Sequence, residues 1–176
     1  MIIKTIKLTS LFVNTENYRF EPLSSQKEAI DKMVEDQEDK LYSLVDDIVT
    51  NGLSPVDLII VTPSEDNSKY TVLEGNRRVT TLKALQDDYE QGKDIGNLNP
   101  EIFRKIPFEI HDNESKEKHL IIMGLKHISG NKKWSAINQA QLIYDYLQPY
   151  WNTDEYHDKE NSLCDSLGIT KQRLRG

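Results

Sequence analysis

The sequence predicts an α+β N-terminal part, residues 1–112, followed by an all-α part, residues 113–176. Three observations carry that prediction. Apolar and β-branched runs of strand length occur near residues 2–8, 56–61, 70–73 and 106–110, and none occurs later in the chain. Helical spacing of apolar residues is interleaved with these runs, and it is the only pattern that continues beyond Asp112. No internal repeat or low-complexity tract competes with this division.

Taken in order, Ile2, Ile3, Ile6 and Leu8 among Lys4, Thr5 and Lys7 predict a short first strand, and residues 14–22 an irregular polar segment. Ser25-Gln26-Lys27-Glu28 has the spacing of a capping box, and Ile30, Met33/Val34, Leu41, Leu44/Val45 and Ile48 recur at helical intervals. Asn51-Gly52 supplies a left-handed stop, so an amphipathic helix is expected here, broken in the acidic stretch 35–39. The runs VDLIIV (56–61) and YTVL (70–73), separated by the turn residues 63–68, predict a hairpin. After Gly75, Val79, Leu82, Leu85 and Tyr89 share one helical face that Gln91-Gly92 ends. A connector with Gly96, Asn97 and Pro100 leads to residues 106–110, expected at a sheet edge because they include Pro107. Helices are predicted at 116–126, at 135–147 (Ile137, Ala140, Ile143/Tyr144, Leu147) and at 161–167. Gly168-Ile169-Thr170 then reads as a turn and residues 171–175 as the opening of another helix, so the expectation is a piece of a longer protein that stops early in that helix.

Composition excludes several classes. With 176 residues, 37% of them hydrophobic and 29% charged, the chain has enough apolar surface for one core or two small ones, and disorder is not expected. A net charge of −7 excludes nucleic-acid binding by bulk charge, so any such contact must be local. The single cysteine, Cys164, can form neither an internal disulfide nor a CxxC pair, which fits a reducing cytoplasm. No signal-peptide run and no stretch of about 20 apolar residues is present, so a membrane partner is not expected.

Familiar catalytic templates are missing. GxGxxG, GxxxxGK[ST], HExxH and GxSxG do not occur. The sharpest local feature is Val72-Leu73-Glu74-Gly75-Asn76-Arg77-Arg78, a strand running through a tight turn into a helix. Gly75 permits close backbone approach, Asn76 can cap, and the amides of a first helical turn attract anions. Arg77 and Arg78 stand in that turn, where the helix dipole disfavours each cation by about 0.3–1 kcal/mol, a penalty that a bound phosphate reverses. Pairing of the arginines with acidic neighbours such as Glu74 is the open alternative.

A second segment, Lys126-His127-Ile128-Ser129-Gly130-Asn131-Lys132-Lys133-Trp134, joins two predicted helices through a glycine loop that could close over phosphates, with Ser135 capping the second of those helices. Its plain alternative is a helix connection with Trp134 filling the core. A third, residues 14–22, places Tyr18, Arg19 and Phe20 in a polar loop where ring and guanidinium could hold a base, or where Phe20 belongs to the core.

In this order the segments resemble the ParB/sulfiredoxin-like superfamily, and within it proteins with a ParB-type N-terminal domain. The residues that carry the resemblance are Asn14 and Arg19, the strand after Asn51-Gly52-Leu53, the box Gly75-Asn76-Arg77-Arg78 with Ala84 beyond it, and the Ile106-Pro107 strand. The branch most similar has an RFEP segment, an LEGNRR box and an HISG…W segment, here at 19–22, 73–78 and 127–134. The resemblance covers most of the chain.

It implies a small mixed sheet and a nucleoside triphosphate pocket in residues 1–112, then a helical domain that begins a helix-turn-helix. Gly75, Asn76, Arg77 and Arg78 would hold phosphate, His127, Ser129, Gly130, Lys132 and Lys133 would form the second phosphate segment, and Arg19 would lie near the pocket. Residues 162–167 would open the helix-turn-helix, with Thr170, Lys171, Gln172, Arg173 and Arg175 toward DNA. The implied ligands are CTP or ATP, with Mg2+ as a candidate cofactor, and the implied partners are DNA and a second copy as homodimer. In ParB-type partition proteins CTP closes a clamp and hydrolysis reopens it; the family implies a bacterial or phage source. Two departures stand out. Asn76 occupies the place of a usual glutamate in ParB-type proteins and of the reactive cysteine in sulfiredoxins, and Cys164 is far away in sequence, which excludes sulfiredoxin chemistry. The second segment also lacks the Glu-Asn pair that helps hold metal and triphosphate, so no residue is assigned to a metal.

Three functions are therefore expected to compete. The first is a nucleotide-binding, DNA-associated regulatory or partition-type protein. The second is an enzyme in the same pocket, a nucleoside triphosphatase (CTPase), nuclease or nucleotide-dependent phosphotransferase, with Glu74 or His127 as the acid-base group. The third is an interaction module without nucleotide, whose acidic helix (Asp31, Glu35, Asp36, Glu38, Asp39, Asp46, Asp47) faces a basic partner or simply solvent.

Overall fold

Local sequence signals account for most element boundaries in the computed structural model, which describes residues 3–15, 24–55, 58–64, 67–111, 115–130 and 133–175. The fold is α+β. The chain divides into two compact units, the first built from Met1–Glu16 and Pro22–Asp112, the second containing Asn113–Gly176.

In the first unit, β1 (Ile3–Ile6), β2 (Leu11–Phe12), β3 (Ile59–Pro63), β4 (Tyr70–Glu74) and β5 (Ile106–Ile110) form a mixed sheet of order β1-β5-β3-β4-β2. The predicted hairpin is β3 and β4, antiparallel, with Thr62 opposite Thr71 and Pro63 opposite Tyr70. Its turn is closed by Ser64 N donating to Lys69 O at 3.0 Å, with Asn67 at φ 55°. Residues 106–110 do not form an edge strand: β5 lies between β1 and β3. The β3 ladder begins only at Phe108, so the N–H that Pro107 lacks falls outside it. The two-residue β2, parallel to β4, is too short to show a period in sequence.

The capping box at Ser25 starts α1 (Gln26–Asn51): the hydroxyl accepts from Glu28 N at 3.2 Å, while the Glu28 carboxylate reaches one residue further, to Ser24 N and Oγ. The helix kinks at Gln37 (φ −127°, ψ 19°), inside the acidic stretch, and stops at Gly52 with φ 78°. Val79, Leu82 and Leu85 of α2 (Asn76–Glu90) are buried as their spacing requires. Tyr89 leaves that face; it is 47% exposed and tilts against Phe103 at 6.0 Å between rings.

The second unit consists of α3 (Lys116–His127), α4 (Ala136–Leu147), α5 (Tyr156–Leu167) and α6 (Lys171–Arg175). Ser115 and Ser135 cap α3 and α4 through Lys118 N and Asn138 N. Leu120, Met123, Leu142, Tyr146, Leu163 and Leu167 fill the core. The buried stripe of α4 runs through Leu142 and Tyr146, so Ile137, seven residues from the half-exposed Tyr144, lies outside it at 77% exposure. α5 begins five residues before the apolar pattern that predicts it, because its first turn is polar.

One polar knot ties three of these segments. The Glu117 carboxylate accepts from Tyr146 Oη (2.8 Å), Tyr150 Oη (2.9 Å) and Lys159 Nζ (2.9 Å). The Lys159 ammonium, first of all, and the two hydroxyls hold Glu117 below the usual carboxylate range against burial, and burial followed by the Glu117 bond pushes the Tyr146 hydroxyl up to about 12. A carboxylate whose folded pKa is depressed adds stability above its unfolded pKa, about 4.3, and loses it as pH falls through the folded value. Glu117→Gln is therefore expected to cost about 1–2 kcal/mol at pH 7, since the site is partly exposed, and progressively less as pH falls through the folded value. Urea denaturation at pH 7 and pH 3 measures both.

Candidate functional site

The site in the first unit is built by a break in the hairpin register. Ile60 pairs with Glu74 and Val61 with Val72, which leaves Leu73 as the extra residue of a bulge on β4. Strand alternation fails there, and Val72, Leu73 and Glu74 are all buried. The bulge turns the Glu74 carboxyl inward at the point where the strand meets α2.

Gly75 makes the next turn at φ 102°, ψ 16°, a conformation that suits glycine alone. A Cβ there would meet Ile59 Cγ1 at 3.1 Å and Arg78 Nη1 at 3.4 Å. The first helical bond runs from Val79 N to Gly75 O at 3.0 Å, so the amides of Asn76, Arg77 and Arg78 precede the ladder, and the N-cap residue, Gly75, brings no side chain to cap them. No acidic residue lies in this first turn.

Asn76 departs from its expected role. Its side-chain amide is buried, accepts from Asn14 N at 2.8 Å through Oδ1, and donates to Val72 O at 3.2 Å through Nδ2. It fastens the end of the β2 segment to the end of β4, and any phosphate contact comes from its backbone N–H. Arg78 and Glu74 are each 7% exposed. Arg77 is half-buried, and burial is the main cause that lowers its guanidinium pKa, with Glu74 opposing and Arg78 reinforcing. The turn thus carries a desolvated cation at the positive end of a helix, next to a second buried cation and one carboxylate.

In the second unit the loop after α3 matches its expectation only in part. His127 is buried and stacked on Trp134, with rings 4.2 Å apart and 7° from parallel. Both belong to the core side of the unit, which matches the plain alternative for Trp134. Ser129 Oγ donates to Leu167 O, and Gly130 runs so close to α3 that a Cβ would lie 2.4 Å from Lys126 O. Lys133 is exposed. Lys132 and Arg19 lie outside the described residues.

α5, the left-handed Gly168 (φ 62°) and α6 succeed one another as helix, turn and helix. The cations of α6 are engaged within the unit. Arg175 grips the fully buried Glu160 with Nε and Nη2, both at 2.7 Å, and Lys171 and His157 stand 3.8 and 3.9 Å from the same carboxylate. Arg175 is the first cause that holds Glu160 below the usual carboxylate range. Arg173 Nη2 donates to Ile128 O at 3.0 Å, and Thr170 Oγ1 accepts from Arg173 N as the helix cap. Gln172 is exposed. Glu160 is the residue that sequence reasoning missed; its only signal was an acid with two basic residues 11 and 15 positions ahead, Lys171 and Arg175, and a histidine, His157, one helical turn back.

Among the described residues no group of three or more His, Cys, Asp or Glu could hold a metal ion. Among the same residues no helix is long and apolar enough to cross a membrane.

No protein-family profile and no curated protein matches the chain. Solved structures do. One is the C-terminally truncated chromosome-partitioning protein ParB from Caulobacter crescentus complexed with CTP-gamma-S, 14% identical over 99% of this chain and 75% of that chain, TM-score 0.47. The other is the same truncated ParB complexed to the centromeric parS site, also 14% identical, over 99% of this chain and 68% of that chain, TM-score 0.47.

Proposed function

We propose that this chain is a ParB-like, nucleotide-binding and DNA-associated regulatory protein. Its first unit takes the phosphates of a nucleoside triphosphate, CTP or ATP, on the opening turn of α2. The observation that carries this is the combination at 75–78: a helix N-terminus opened by a glycine, which brings no capping side chain and which no other residue replaces without strain, with a desolvated Arg77 in the same turn. A phosphate there would accept from the amides of Asn76, Arg77 and Arg78 and from the guanidinium fork, which removes the cost of a half-buried cation at a positive dipole.

The second unit supplies the DNA element in this proposal, through α5, Gly168 and α6. Its exposed polar positions, Thr170 and Gln172, with Lys171 at the edge of the Glu160 cluster, would meet the duplex, whereas Arg173 and Arg175 position the helix. No observation favours Glu74 or His127 as an acid-base catalyst: the first lies buried beside arginines and the second is stacked in a core. Isothermal titration with CTP and with ATP tests the proposal. Saturable binding of either supports it, and silence with both at millimolar concentration contradicts it.

A further inference from the structure

Two lysines of the first unit converge on one turn of backbone. Lys83 Nζ, from α2, donates to Leu8 O at 3.4 Å, and Lys69 Nζ, from the residue before β4, donates to the next carbonyl, Thr9 O, at 3.1 Å. Lys69 Nζ also stands 5.3 Å from the centre of the Phe12 ring. Both carbonyls belong to the 3-10 turn Leu8–Ser10 that joins β1 to β2. Leu8 O does not need Lys83: it already accepts from Leu11 N, and 3.4 Å is long for an N–H···O bond. Among the described residues neither ammonium forms an ion pair. Lys83 is half-buried, and burial is the main cause that lowers its pKa, with Lys69 reinforcing and Asp87 opposing. Each ammonium has three N–H donors and uses one, so two like charges meet here with donors to spare.

A third donor lies beside them. Asn76, Thr80 and Lys83 follow one another at helical spacing on one stripe of α2. Both ends of that stripe touch the segment 8–14, Asn76 through Asn14 N and Lys83 through Leu8 O, so Thr80 faces the same segment between them. A helical threonine ordinarily returns its proton to a carbonyl one turn back. Thr80 does not: it is 3% exposed, and among the described residues its Oγ1 has no hydrogen-bond partner. We propose that Lys69 and Lys83 form a second anion site, which takes a phosphate dianion, free or as a small monoester, with the Thr80 hydroxyl as its inner donor. A phosphate monoester carries about two negative charges at neutral pH and so answers both ammoniums, whereas the diester of a nucleic-acid backbone carries one and leaves an ammonium uncompensated. The site is separate from the triphosphate reading, because Lys83 is seven residues, roughly 10 Å, along α2 from Asn76.

Isothermal titration of the full chain carrying Arg77→Ala, which weakens the α2 turn, tests it with inorganic phosphate, glycerol phosphate and dimethyl phosphate at constant ionic strength. Saturable binding of the two dianions is expected, and the tighter of them identifies the source; dimethyl phosphate, a monoanion, should bind at least about tenfold more weakly. Adding Lys83→Met, which keeps the apolar stem, is expected to weaken dianion binding at least about tenfold, and Thr80→Val, which keeps the shape, about threefold. The amides of Lys69 and Lys83 in the parent chain should shift as phosphate is added, which reports the same event without a substitution. Binding that survives Lys83→Met, binding that Thr80→Val leaves unchanged, or amides that stay unmoved overturns the site. An equal response to dianion and monoanion means an adventitious ion only and overturns it as well.

Discussion

Arg77→Ala is expected to weaken triphosphate binding by about 100-fold or more while leaving the chain as stable as its parent. A guanidinium makes two charge-assisted bonds to phosphate, each worth about 1.5–3 kcal/mol, so its loss removes most of the affinity. The effect on stability has the opposite character. Burial is the main cause that depresses the Arg77 pKa, which means that the charged form is less favourable in the folded chain than in water. The guanidinium stays charged at any pH where the protein is folded, so no pH window relieves that cost. Removing it is expected to change unfolding free energy by less than about 1 kcal/mol or to raise it, the pattern of a residue kept for a ligand. Titration calorimetry and urea denaturation of one variant decide between the two roles open for this arginine: a structural partner of Glu74 would lose stability on substitution, and a phosphate ligand would not.

Gly75→Ala is expected to lower stability by about 2–5 kcal/mol and to abolish binding as well. A left-handed residue with a Cβ costs about 1–2 kcal/mol, and a methyl 3.1 Å from Ile59 Cγ1 adds an overpacking cost of about 1–3 kcal/mol because β3 cannot retreat from its own sheet. Gly168→Ala is the comparison: its φ is 62° but a Cβ there meets nothing within 4 Å, so only the backbone cost of about 1–2 kcal/mol remains. Circular dichroism in urea measures both, and equal losses at the two glycines would show that the Ile59 contact is not felt.

The helices and the hairpin are readable in sequence because each has a local cause. Ser25, Ser115 and Ser135 cap, Gly52 and Gly168 stop, and the acidic run breaks α1 at Gln37. The features that escape depend on contacts distant in sequence. The inward turn of Glu74 comes from a register shift between Ile60 and Val61, which no pattern within β4 shows. Asn76 reads as a phosphate ligand in sequence, but its side chain serves the Asn14 amide 62 residues away. The arginines of α6 look like DNA ligands because a short basic helix carries no sign of Glu160 and Ile128, which occupy them. Pro107 points to an edge, yet it pairs with Thr5 in the β1 ladder and stands one residue before the β3 ladder begins, a placement that no pattern within residues 106–110 shows.

The central claim is that the opening turn of α2 is an anion site, and amide NMR of residues 76–78 during titration with CTP tests it most directly. The expected result is a saturable downfield shift of the Asn76, Arg77 and Arg78 amides that inorganic tripolyphosphate reproduces and Arg77→Ala weakens. Saturable binding of CTP that leaves those three amides unmoved would contradict it.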